Sequence, residues 1–186
     1  MAEIDPRPDF LAAVAWAVAR AEAVGAEQFA WPTGCAGWTV RDVVKHCADV
    51  AGLVGGRFGS PARPPLAADA PDDDVRQAFT AAAAALPGLL ADDAVLALEV
   101  TGPGGILPAA RFLGLFTGEF LVHGWDIAAA TGQDAEAPAD VAARSLEFER
   151  AAVPAEGRNA RAFGPVVEVS PDAGPTRQLA AWLGRA

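Results

Sequence analysis

The segment from Pro108 to Thr131 constrains this chain more than any other. It reads as one long helix, with Gly132 as the expected stop. Phe116, Phe120, Leu121, Val122 and Trp125 make it too apolar to lie freely in water, so it has to pack against other helices. Yet it carries Glu119, His123 and Asp126. Glu119 and His123 are four residues apart, so on a helix both side chains rise from one face. Buried carboxylates are rare unless they are paired or ligate a metal.

The helices that could cover this segment follow from the 3.6-residue apolar rhythm. A first helix starts near Pro6 with Asp5 as N-cap, runs through Phe10, Leu11, Val14, Val18, Ala21 and Gly25, and ends before Trp31-Pro32. A second opens at Thr39, with Asp42 three residues on as in a capping box, and has Val40, Val43, Val44, Cys47, Val50, Ala51 and Val54 as its apolar face. Residues 59–71 contain four prolines and read as an exposed loop. Asp72, Asp73 and Asp74 then open a third helix, where the helix dipole favours negative charge, and it continues through Phe79 and Leu86 toward Leu90. A fifth helix is expected from about Pro138 to Val153 and a last one from Pro175 to Leu183. Val95–Val100 and Val166–Val169 are the strand candidates. The glycines at 102, 104 and 105 form a turn rather than a phosphate loop, since no Gly-Lys-Ser/Thr ending follows. No repeat is seen, and 186 residues suit a single domain.

The chain has only two histidines. His46 sits in the second helical stretch and His123 in the fourth. His46, Glu119 and His123 would give two ligands from one helix and one from another, leaving room on a divalent ion for water or substrate. The spacing alone also allows a buried Glu119–His123 or Glu119–Arg111 ion pair with no metal. Asp126, one turn further along the same face, could orient a ligand or a bound water, or serve a neighbouring helix as a polar partner. Cys47 is turned about 100° from His46 and reads as a small buried hydrophobe, not a fourth ligand; pairing with Cys35 is not expected. Trp38 and Trp125 could wall a pocket, but core packing is the ordinary use of such residues. Arg57, Arg63, Arg111 and Arg177 are candidates for gripping an anion.

Charge narrows the partners. A net charge of −10 disfavours nucleic acid, whose phosphates need a basic face. There is no polybasic run for a membrane surface, no apolar run of about 18 residues to span one, and no signal-peptide pattern at Met1–Pro6. The expectation is a cytoplasmic protein that acts on a small molecule and could form a homodimer.

Two stretches resemble a known family. Residues 32–46, from Pro32 through Trp38, Thr39 and Asp42 to His46, look like the opening metal-ligand segment of the mycothiol-dependent maleylpyruvate isomerase type, within the DinB/YfiT-like superfamily. Residues 121–132, Leu121-Val122-His123-Gly124-Trp125-Asp126 onward to Gly132, resemble its second signature. The tail from Phe163 to Arg185 is also similar. The resemblance implies a mainly α, DinB/YfiT-like four-helix bundle with short β additions and a C-terminal helix. It also implies a divalent metal, usually Zn²⁺, on His46, Glu119 and His123.

Family members use a low-molecular-weight thiol, typically mycothiol, in isomerisation or S-transfer. The full isomerase carries a further domain that contributes to its site, and little chain follows Pro154 here, so the expectation is the family's thiol chemistry rather than maleylpyruvate isomerisation itself. A cation lowers the pKa of a thiol, so a metal with an open position makes a nucleophile that the side chains do not otherwise offer. Two alternatives stand beside this: a metal Lewis-acid enzyme without a thiol (a hydrolase, lyase or cyclase), and a noncatalytic metal-binding bundle. No catalytic side chain beyond the ligands is identified.

Overall fold

The computed structural model describes residues 5–62, 64, 66–158 and 163–186. Arg63, one of the anion-gripping candidates, and residues 1–4, on which part of the N-terminal reading rests, lie outside the described residues. The fold is mainly helical, with one small two-stranded sheet.

Helices α1 (Arg7–Glu22), α2 (Val40–Arg57), α3 (Asp72–Leu89) and α4 (Ala109–Thr131) form the bundle, α1 packing on α4 and α2 on α3 most extensively. The long segment lies at its centre. Every residue from Phe120 to Ala128 is buried, because α1 and α2 cover one side of α4 and α5 (Ala139–Ala152) and α6 (Pro175–Trp182) the other. A helix that is apolar all round is stable only when enclosed in this way. Gly132 ends α4 in the left-handed conformation (φ 72°). Gly124 lets Trp16 of α1 press against the α4 backbone, where any Cβ would collide with the indole.

Local chemistry explains the other boundaries. Thr39 and Asp42 exchange the two hydrogen bonds of a capping box at the start of α2. Asp72–Asp74 open α3, and Asp72 also accepts from Arg41 of α2 at 2.9 Å. The first helix stops earlier than its rhythm suggests, at Glu22. Extended Gly25 (ψ 156°), its N–H donating to Gln28 Oε1, restarts the chain as a 3-10 turn over Ala26–Ala30. Helix α1 begins at Arg7, whose backbone N–H donates to Asp5 Oδ1, so Asp5 caps from one position before the flanking Pro6.

The strand expected over 95–100 is displaced. Asp92 accepts from the Ala94 N–H and winds Asp93–Ala97 into a 3-10 turn. The strand β1 is Glu99–Gly102, paired antiparallel with β2, Gly105–Pro108, with Val100 opposite Leu107. Residues 166–169 form no strand: Val167 N–H donates to Ala181 O of α6, and no other strand lies beside them among the described residues. No helix of the described residues is long and apolar enough to cross a membrane.

Candidate metal centre

Helices α2 and α4 bring His46, Glu119 and His123 together, their candidate ligand atoms all lying within 4.8 Å of one another. His46 is placed by the capped first turns of α2: Val43, Val44 and Cys47 turn into the core, which leaves the imidazole on the flank that faces α4. Its Nε2 lies 2.7 Å from Glu119 Oε1, and His123 Nε2 lies 3.4 Å from the same oxygen. Both imidazoles thus direct Nε2 at one carboxylate.

Behind them the polar chain continues inward. His123 Nδ1 is 3.0 Å from Asp126 Oδ2, which ties down the far side of the ring and leaves Nε2 for the centre. Asp126 is fully buried and receives Arg185 Nε at 3.0 and 3.1 Å on its two oxygens. Asp126 thus hydrogen-bonds both a histidine of the cluster and the chain end after α6. Glu119 makes no ion pair with Arg111.

Electrostatics follow from this arrangement. Burial opposes charge on both His123 and Glu119, and their hydrogen bonds overcome it. Asp126 and Glu119 raise His123 to about 9, while the two histidines hold Glu119 well below the usual carboxylate range. The donor set, two imidazole nitrogens and one carboxylate oxygen, fits a divalent ion such as zinc with three protein ligands.

The cluster opens into a cavity of about 650 Å³. Trp38 forms one wall. Its ring stacks on His123 (centroids 5.9 Å apart, planes 13° apart) and meets His46 edge-on at 5.0 Å, so this tryptophan shapes the site as well as packing against the core. The loop before α2 holds it there: Thr33 N–H and Oγ1–H donate to Trp38 O, and Trp38 N–H donates to Cys35 O. Leu107 and Pro103 of the hairpin, Leu115, Phe116 and Val122 of α4, and Val153, Phe163 and Leu183 supply apolar walls. Trp125 is buried elsewhere, under the Arg177 guanidinium.

Of the arginines singled out in the sequence, Arg111 lines the cavity. Arg57 is spent on Thr101 O, and Arg177 on Arg185 O and the Trp125 face. Three cavity residues carry no sequence signal strong enough to single them out, or only a faint one. Arg185 comes from the chain end after α6. Cys35 comes from the loop, where burial pushes its thiol up and Arg185 Nη2 lies 3.8 Å from Sγ. Glu149 lies on α5; it falls in the apolar stripe of Val141, Ala142, Ser145 and Leu146, and an acid in such a stripe is the clue that could have found it. Cys47 is a buried free thiol, and the two cysteines are not joined.

Residues 10–128 match the family described as the mycothiol maleylpyruvate isomerase N-terminal domain. All three residues of the cluster fall within this span, whereas Glu149 and Arg185 lie beyond it. Two proteins of Mycobacterium tuberculosis, from strains CDC 1551 and H37Rv and both described as uncharacterized, are each 34% identical to this chain over 163 residues, or 87% of this chain and 87% of their own. No solved structure matches.

Proposed function

The chain belongs to the mycothiol maleylpyruvate isomerase N-terminal domain family, and from that premise we propose that it is a divalent-metal-dependent enzyme that uses a low-molecular-weight thiol, mycothiol or a relative, against a small electrophile. The observation that carries this reading is the convergence of His46 Nε2, His123 Nε2 and Glu119 Oε1 at the wall of a cavity of about 650 Å³. A structural metal would be closed by a fourth protein ligand. Here the three atoms line a cavity instead, and Cys47, the nearest thiol in sequence, is buried in the core.

A bound ion supplies Lewis acidity that lowers the pKa of a thiol at the open position. The chain's own residues do the rest. His46, Glu119 and His123 would hold the ion, and Asp126, braced by Arg185, would keep the His123 ring in the tautomer and orientation that ligation needs. Trp38, Phe116 and Leu115 exclude water from the region where sulfur and electrophile would meet. Arg111 offers a cation to an anionic group of either reactant.

Cobalt-substituted protein tests this directly. Titration with mycothiol is expected to raise a saturable thiolate-to-cobalt charge-transfer band, lost in the His46→Ala, His123→Ala double variant. If neither mycothiol nor a simpler thiol alters the cobalt spectrum, the thiol reading fails. A response to carbonyl compounds alone would then favour Lewis-acid chemistry without a thiol.

A further inference from the structure

Glu149 is the one cavity carboxyl without a hydrogen-bond or ion-pair partner among the described residues. It projects from α5, is only 3% exposed, and reaches across α4 at Gly118, where a Cβ would collide with its carboxyl group. It lines the same cavity as the His46–Glu119–His123 cluster. Every other acid around this centre is engaged: Glu119 by both histidines, and Asp126 by His123 and Arg185. An acid buried with nothing to receive its hydrogen is costly, so a fold that keeps one has left it an open partner.

We propose that Glu149 is a ligand-contacting hydrogen-bond donor: as a neutral carboxyl it gives its O–H to a carboxylate or carbonyl oxygen of the small molecule that occupies the cavity. The assignment shares with the preceding reading only the premise that this cavity binds a small molecule. It needs no thiol.

Three observations support it besides the missing partner. Burial, reinforced in the metal-free protein by the nearby charge of Glu119, pushes Glu149 up to about 8, so there it carries its proton at neutral pH. A neutral carboxyl donates to oxygen, and donation is strongest to an anionic one. The groups that share the cavity with it are Glu119, His123 and Arg111 from α4, His46 from α2, Cys35 from the loop before α2, and Arg185 from the chain end. Arg185 is held by Asp126, which leaves Arg111 as the cation for the anionic end of such a ligand. Gly118 fits the same role, since any side chain there would push the Glu149 carboxyl out of its place.

The test uses the full chain after chelation, with neither metal nor thiol present, so failure of the metal or thiol reading leaves its outcome intact. Succinate and its uncharged diamide, succinamide, are titrated calorimetrically into wild type, Glu149→Gln and Glu149→Leu, with circular dichroism as the folding check. At least one of the two compounds is expected to bind, succinate alone if the charge is read and both if the carbonyl oxygen suffices. Glu149→Gln keeps a donor and should bind to within a few-fold of wild type at pH 7, whereas Glu149→Leu should bind at least about tenfold more weakly. Between pH 7 and 9 wild type should lose about tenfold in affinity relative to Glu149→Gln, which has no proton to lose. Absence of binding by both compounds, equal binding by Glu149→Leu and wild type, or a wild-type to Glu149→Gln ratio that stays flat with pH would each overturn the assignment. Should the leucine variant misfold, the pH-dependent ratio to Glu149→Gln decides alone.

Discussion

Helix α4 has two faces that share a backbone and obey different rules. On one, Phe120 is fully buried between Phe10 of α1 (rings edge-on at 5.9 Å) and Phe79 of α3 (rings parallel at 6.0 Å). On the other, one residue away, Glu119 faces a cavity and joins the two histidines in a polar chain running His46–Glu119–His123–Asp126–Arg185. The aromatic face is dry and its contacts are made within the protein, so it holds the fold together. The polar face puts charge in a buried setting and satisfies it side chain by side chain. Such networks add little net stability, because desolvation offsets most of the attraction. What this one does is hold two imidazole nitrogens and a carboxylate oxygen within 4.8 Å of one another at the wall of the cavity.

That contrast is broken first by truncation on the dry face. Phe120→Ala is expected to cost about 3–5 kcal/mol of stability, since it removes a ring from a site closed on both sides. Urea unfolding measures it, and a loss of less than about 1 kcal/mol would mean that the face is not the structural one. The folded fraction should still take up metal.

On the polar face the order reverses. His46→Ala or His123→Ala should abolish stoichiometric metal in protein prepared without a histidine tag, read by elemental analysis, while helical content stays near that of wild type. Asp126→Asn leaves the ligands in place but weakens the restraint on the His123 ring, so metal affinity should fall about 10–100-fold. A smaller loss than this would show that Asp126 serves Arg185 alone.

Acid sharpens the contrast further. With His123 raised to about 9, a proton has to leave before the ring can ligate, so metal affinity falls continuously as pH drops below that value. Metal retained after dialysis at pH 7.5 should be lost at pH 4.5. In the chelated protein the linkage runs as two opposing terms. The raised His123 stabilises fully below its ordinary value of about 6.5 and this is lost as pH rises through about 9. The lowered Glu119 stabilises above its ordinary value and this is lost as pH falls. Glu149, raised to about 8, sides with His123: its contribution is full below the ordinary carboxylate value and is lost as pH rises from there through about 8. Thermal denaturation of the chelated protein should therefore peak near the ordinary carboxylate value and fall as pH rises toward about 9. The smallest expected effect is that of chelation itself at pH 7. The dry face does not depend on the ion, so far-ultraviolet circular dichroism should change by little, and loss of most helical signal would make the metal structural.

Periodicity and capping were readable because they act within a turn or two of chain. Helix α4 was expected over Pro108–Thr131 and spans Ala109–Thr131, since its apolar run and the left-handed Gly132 are local facts. The Thr39–Asp42 box is equally local. The misses are also local in cause: Asp92 and Gln28 each divert a short stretch into a 3-10 turn by a side-chain hydrogen bond that competes with a strong apolar pattern. Val166–Val169 has strand-forming residues but no strand to pair with among the described residues, a matter of tertiary neighbours.

For the site, residue type and a four-residue spacing are properties of one segment, so they reveal which side chains have ligand chemistry and that two of them share a helix face. What those residues meet comes from the packing of distant segments. That packing made Trp38 a wall of the site, chose Arg111 over Arg57 and Arg177, brought Arg185 about sixty positions along the chain to Asp126, and left Glu149 buried and unpaired against Gly118. Each of these is a long-range contact, fixed by how α5, α6 and the chain end pack on α4, and packing of that kind leaves no periodic trace in either segment alone.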